Sequence, residues 1–356
     1  MPIPTEPIGS IPRPRELVDA MGNWVQGRIS RSEFLAISQE AVRDTIQRFE
    51  ATGSPIVTDG EQSKPSFATY PIHGASNLAP DGVTIPFADG HTRQLPRLTS
   101  GPFRYTTYAS SYLKAAKKLA ASPVKQAVIS ASALSLLYPE RGIPDYSREQ
   151  FLKDLIGEAE TDIRGCLEAG AASVQIDFTE GRLALKLDPS GGLLDQFVDL
   201  NNRVLERFSQ EERLRLGVHS CPGGDLDATH SADVDYAGLL PALFKLRVTN
   251  FYLQLASEKN RGRVLGLIRD GLQAHHKVFV GVIDPINPNL ETPEEVCARV
   301  LEAAKYIPLD QLGTTDDCGF APFMDDMSTA RDLAFSKIRA RVTGTAMADE
   351  RLLRGA

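Results

Sequence analysis

A (β/α)8 barrel, an α/β fold, is the architecture this sequence predicts, on three observations. Short apolar runs alternate with longer amphipathic stretches along all 356 residues. Eight such pairs fit in that length, and strand–helix alternation implies parallel pairing. No Pro/Gly/Ser-rich linker breaks the alternation, so residues 1–356 are expected to form one catalytic domain. A doubly wound open sheet is the alternative that the same alternation allows.

The candidate strands are Thr5–Ile8, Ile56–Asp59, Ala127–Ser130, Ser173–Phe178, Leu214–His219, Asn250–Leu255, Val278–Ile283 and Leu312–Thr315. The helical periodicity falls on Arg31–Thr52, Ser111–Ala121, Arg148–Ala169, Leu193–Phe208, Tyr236–Lys245, Gly262–His275, Pro293–Ala304 and Ser328–Val342. One stretch, Asp81–Leu98, breaks the pattern with prolines, polar residues, a VTIPF run and an ADG turn. It reads as a hairpin inserted after the second strand, near the barrel mouth.

The net charge of -7 comes without a long basic run, which argues against nucleic acid and anionic membrane as partners. No apolar stretch approaches the roughly 20 residues of a membrane span, and the N-terminus MPIPTEPIGSIPRP lacks a signal-peptide pattern. A cytoplasmic protein is expected. Its four cysteines should then be reduced. Cys166 and Cys297 sit near the apolar stripes of amphipathic helices and read as core filler. Cys221 and Cys318 fall at candidate strand ends instead.

In a barrel of this kind, chemistry gathers where strands end and loops begin. The polar residues there are Ser10, Asp59, Glu61, Asp177, His219, Cys221, Glu258, Asp317 and Cys318. In His219-Ser220-Cys221, residues two apart on a strand face the same side, so imidazole and thiol converge at the mouth. That is half of a zinc site. Glu258 after the sixth strand and Cys318 after the eighth supply the other half, although Glu258 also suits the negative charge of a helix N-terminus. A His/Cys/Glu/Cys set suits tetrahedral zinc better than magnesium or calcium. Zn2+ is the expected cofactor.

These residues, in this order, resemble the catalytic C-terminal domain of cobalamin-independent methionine synthase and its single-domain relatives. The resemblance runs from Ile8-Gly9-Ser10 with Pro12, through Asp59-Gly60-Glu61, Gln175-Ile176-Asp177, His219-Ser220-Cys221 and Glu258, to Asp317-Cys318-Gly319. It implies zinc on His219, Cys221, Glu258 and Cys318, with Ser10, Glu61 and Asp177 holding the amino-acid end of homocysteine. The implied reaction is S-methylation of a zinc-bound thiolate, a good nucleophile at neutral pH. Two carboxylates suit the ammonium group of such a thiol.

Three departures stand out. The full-length synthases carry a second, N-terminal barrel, and none is expected within these 356 residues. The family's acid histidine after the seventh strand is replaced by Ile286, in Asp284-Pro285-Ile286-Asn287-Pro288-Asn289. Its folate-stacking tryptophan is replaced by Leu137, beside Tyr138; the lone tryptophan is Trp24. The thiol-activating residues are thus present while the methyl-folate residues differ. A methyl-corrinoid protein is one alkyl donor this leaves open.

An alternative is an epoxyalkane:coenzyme M transferase-type reaction, with Tyr70, Tyr138 or His73 supplying the proton and Arg13, Arg104 or Arg182 binding the sulfonate. A non-catalytic zinc-binding barrel is the alternative of another class. The acid pair Glu61 and Asp177 favours an amino-acid-like thiol.

Overall fold

The computed structural model describes residues 2–354. Six regular strands form one parallel sheet: β1 (Gln126–Ile129), β2 (Val174–Asp177), β3 (Leu216–Ser220), β4 (Asn250–Leu253), β5 (Lys277–Ile283) and β6 (Leu312–Asp316). They follow one another in space in the order in which they occur in the chain. Each is nearly or fully buried, as parallel strands covered by helices must be.

The first two expected strands are not regular strands. Thr5 makes a single parallel bridge to Thr314 of β6, and Val57 a single bridge to Val124, just before β1. Proline is the physical reason at the first position: Pro4 and Pro7 flank Thr5-Glu6 and cannot donate to a ladder. The two segments nonetheless join the sheet's edges. The Ile11 amide donates to the Gly60 carbonyl at 3.0 Å, and the Thr58 hydroxyl donates to the Gly9 carbonyl at 2.8 Å. Eight strand positions therefore surround the interior, six as ladder and two as irregular backbone.

Helices cover the outside close to their expected places. Capping boxes start those at Arg31–Ala51, Arg148–Glu168 and Pro293–Ala303, from Ser30 with Glu33, Ser147 with Gln150 and Thr292 with Glu295. The last helix, Arg331–Arg354, runs well past the expected end at Val342. Gly344 lies inside it, and a Cβ there would come within 2.5 Å of the Val296 side chain. The glycine lets this helix lie against Pro293–Ala303 and continue. Four α-helices among the described residues carried no expectation: Arg15–Val25, Ala131–Ser135, Glu180–Leu187 and the short Gln210–Arg213.

The insertion is a hairpin, as expected. Thr84–Pro86 pairs antiparallel with Thr92–Gln94, and Leu78–Ala79 pairs with Arg97–Leu98 at its base. Cys166 and Cys297 are fully buried in the main apolar core between sheet and helices. No helix is long and apolar enough to cross a membrane among the described residues.

Candidate active site and metal centre

The mouth of the sheet is built by strand register. Asp177 on β2 stands opposite His219 on β3, and His219 opposite Tyr252 on β4. Tyr252 stacks on Phe279 inside the sheet, with ring centroids 4.7 Å apart. The face it shares with His219 and Asp177 is therefore the interior.

His219, Cys221 and Cys318 come together, with their ligand atoms all within 4.8 Å of one another. The Cys221 and Cys318 sulfurs are 3.3 Å apart. The His219 Nδ1 lies 3.2 Å from the Tyr252 carbonyl, which can only accept, so Nδ1 carries the proton. Nε2 then presents a lone pair, and it is buried without a partner. A backbone carbonyl fixing the tautomer of a histidine in this way is the usual support of a metal ligand. The Gly223 amide donates to the Cys221 sulfur at 3.4 Å. The neighbouring Cys221 thiol and burial push the Cys318 thiol up from its ordinary range. Two buried thiols this close ionise together only beside a cation. An orphaned imidazole nitrogen and two converging sulfurs fit zinc.

Glu258 stands apart from this cluster. Its Oε1 accepts from Arg182 Nη2 at 2.7 Å. Arg182 is buried and lies over the Tyr236 ring, 3.9 Å from its centroid.

The three expected substrate residues line one cavity with His219 and Cys318. Burial pushes the Asp177 carboxyl up to about 6, and its Oδ1 accepts from Gln175 Nε2 at 2.7 Å. Glu61 sits at a positive φ of 56° just after the Asp59-Gly60 turn. Its amide donates to Asp59 Oδ1, and its Oε1 accepts from the buried Lys64 ammonium at 2.9 Å. Burial alone would lower the Lys64 pKa, but Glu61 and Asp59 hold it above its ordinary value. Ser10 packs against Gly319, where a Cβ would lie 2.1 Å from the serine Oγ. Glycine is thus required directly after Cys318 for this approach.

Several cavity residues carried no expectation. Ile85, Phe87 and Arg93 of the inserted hairpin line it, with Phe67, Phe323 and His230. Arg93 bonds to Asp225 and to Asp325, tying the hairpin to the loops that follow β3 and β6. Burial, with Lys186 and Arg182 nearby, lowers the His230 pKa to about 4, so its ring is neutral. No local pattern marks these residues, because they meet only through the docking of the hairpin.

The proton donors and sulfonate partners considered for epoxide opening lie elsewhere. The Tyr70 hydroxyl is buried and donates to Asp162. Tyr138 donates to the Tyr146 carbonyl, and His73 is exposed outside the cavity. Arg13 donates to four backbone carbonyls, and Arg104 pairs with Asp154.

Comparison with known proteins gives the family and the fold. Residues 3–331 match the family model described as the catalytic domain of cobalamin-independent synthase. The methionine synthase of Sulfurisphaera tokodaii is 22% identical over 352 residues, which covers 98% of this chain and 94% of that protein. The 5-methyltetrahydropteroyltriglutamate–homocysteine methyltransferase of Aeromonas salmonicida is 25% identical over 324 residues, 89% of this chain and 40% of that one. Among solved structures, the B12-independent methionine synthase of Shewanella sp. W3-18-1, in complex with selenomethionine, superposes with a TM-score of 0.78. It is 21% identical and covers 99% of this chain and all of that one.

The fold is that of a barrel, and the family match places the chain among methyltransferase enzymes. The chain belongs to the cobalamin-independent methionine synthase family, as a form of its catalytic domain.

Proposed function

We propose that residues 1–356 work as one zinc-dependent catalytic barrel that transfers a methyl or related alkyl group to the sulfur of homocysteine or a close amino-acid thiol. One observation carries this reading: His219 and Cys318 line the same cavity as the Glu61 and Asp177 carboxylates, and the Cys221 sulfur converges with those two donors behind the wall. His219, Cys221 and Cys318 would hold the zinc. Zinc, when bound there, favours the thiolate form of a thiol at neutral pH.

The chain's own residues do the rest. Glu61 and Asp177 receive the ammonium end of the substrate, and Ser10 lies beside them at the cavity wall. Lys64 holds Glu61 in place from behind. The apolar walls from Phe67, Phe87 and Phe323 keep water from the sulfur and leave room for the alkyl donor. Ile286 lies near Cys318, with its Cδ1 3.7 Å from where a Gly224 Cβ would stand. It has no proton to give, and Leu137 is fully buried in the core, away from the cavity lining. Methyl-tetrahydrofolate is therefore expected to be a poor donor. A methyl-corrinoid protein or a small methylated thiol fits better.

Coenzyme M as the thiol is disfavoured. Arg93, the one arginine lining the cavity among the described residues, is already bound by two aspartates, and Arg13, Arg104 and Arg182 are committed elsewhere. The test is a competition, with zinc-loaded protein offered homocysteine or coenzyme M against methyl-tetrahydrofolate, a methyl-corrinoid and an epoxide. Methionine formed fastest from a donor other than the folate is the expected result. A clear preference for coenzyme M with an epoxide would overturn the reading.

A further inference from the structure

Resting on the zinc reading of this site, we propose that the side-chain amide oxygen of Gln254 is the protein's fourth donor to the metal, and that Glu258 is not a ligand. Gln254 lies one residue past β4, and its amide continues the ladder to the Ser220 carbonyl at 3.4 Å. Tyr252 pairs with His219 and faces the interior, so Gln254, two residues on, faces the interior at the register position that continues towards Cys221. It is 3% exposed.

The orientation of its amide follows from its neighbours. The Ser257 hydroxyl donates to Asp317 Oδ2 at 2.7 Å, so towards Gln254 it can only accept. Nε2 therefore takes the 2.6 Å contact to Ser257, and Oε1 points the other way. Oε1 is buried and has no hydrogen-bond partner. A buried carbonyl oxygen left bare costs stability unless something pairs with it. His219 Nε2, on the adjacent strand and the same face, is bare in the same way. By strand register the two orphaned acceptors share the interior face from which Cys221 follows, and together with the two converging sulfurs they would complete a four-donor set around one cation.

Glu258 is committed elsewhere. Arg182 is buried, and its Nε and Nη1 have no partner. Withdrawing Glu258 would leave that guanidinium with only the Tyr236 face, which is unfavourable for a buried charge. The choice of ligand sets the charge of the site. Zinc with two thiolates, one imidazole and one amide is formally neutral, whereas a carboxylate in place of the amide would make it anionic. The neutral site draws a further thiolate more strongly, so it ionises a substrate thiol at lower pH.

The experiment measures zinc affinity by chelator competition, and the visible spectrum of the cobalt(II)-loaded protein, for the full chain and three variants. Gln254→Ala should weaken zinc by about 100-fold or more, at or beyond the top of the range for a supporting residue, and shift the cobalt bands. Gln254→Glu should tighten zinc and also shift the bands; it decides the matter if the alanine variant fails to fold. Glu258→Ala should leave zinc affinity and cobalt spectrum unchanged while lowering the Tm, because Arg182 loses its partner. Zinc weakened by Glu258→Ala, with both Gln254 variants unchanged, would overturn the assignment of Gln254 alone. Wild-type protein that takes up neither metal would overturn the zinc reading, and this inference with it.

Discussion

The two halves of the cavity are built by different means. The thiol side is carried by strand ends: Asp177 on β2, His219 on β3, Cys221 just beyond it and Cys318 after β6. The backbone ladder places Asp177 opposite His219, the two cysteines follow just beyond the ladder, and all but Cys318 are buried. The donor side is carried by the inserted hairpin and the loops against it, where Phe87, Arg93 and His230 meet residues far away in the chain. On the proposed function, chemistry that needs fixed distances between a metal and a thiol would sit on the rigid half. Selection of the alkyl donor would sit on the half that can be rebuilt without disturbing the sheet.

Breaking the strand-borne half should have the largest effect. Cys221→Ser or Cys318→Ser should strip zinc, with affinity falling more than about 100-fold, beyond the usual loss from a supporting residue, and should abolish methyl transfer. The apolar core holds the sheet, so far-UV circular dichroism should stay that of the parent. Native zinc content in both variants, measured by elemental analysis, would remove the metal assignment.

A smaller loss is expected one step from the metal. Asp177→Asn removes a charged partner of the substrate ammonium, worth about 1.5–3 kcal/mol, so KM for homocysteine should rise about 10–100-fold. The zinc content should not change. If KM moves no more for homocysteine than for a thiol without an amino group, the acid pair does not read the ammonium.

The smallest effect belongs to the hairpin. Phe87→Ala removes an aromatic wall worth about 0.5–1.5 kcal/mol beyond its area, so KM for the alkyl donor should rise about 3–10-fold. KM for the thiol should stay within error. Equal changes for both substrates would mean that the two halves do not divide the labour as described.

The same division decides what could be read in advance. Period-two spacing finds His219 and Cys221 because a strand repeats every second residue, and the strand–helix alternation locates Asp177 and Cys318 near strand ends. The hairpin at 81–98 is legible from its turn residues, but not where it docks, because Arg93 reaches Asp225 and Asp325 only in the folded chain. Glu258 attracts attention as an acid near a strand end, yet its side chain answers to Arg182, which lies 76 residues earlier. Gln254 satisfies the spacing rule as well as His219 does, but a neutral amide carries no ligand signature in sequence. The first two strand positions were legible as apolar segments. Their loss of regular pairing follows from Pro4 and Pro7 at the first, and from the Asp59-Gly60-Glu61 turn that cuts short the second.

The most direct test of the thiol-activating site is the proton count on substrate binding. Homocysteine titrated into zinc-loaded protein near neutral pH, by calorimetry in buffers of differing ionisation enthalpy, should release about one proton per chain, because a thiol reaching zinc binds as the thiolate. Cys318→Ser should abolish the release. Binding with no dependence on buffer would show that the thiol gives up no proton at this site, and would contradict the thiol-activating role assigned to His219, Cys221 and Cys318.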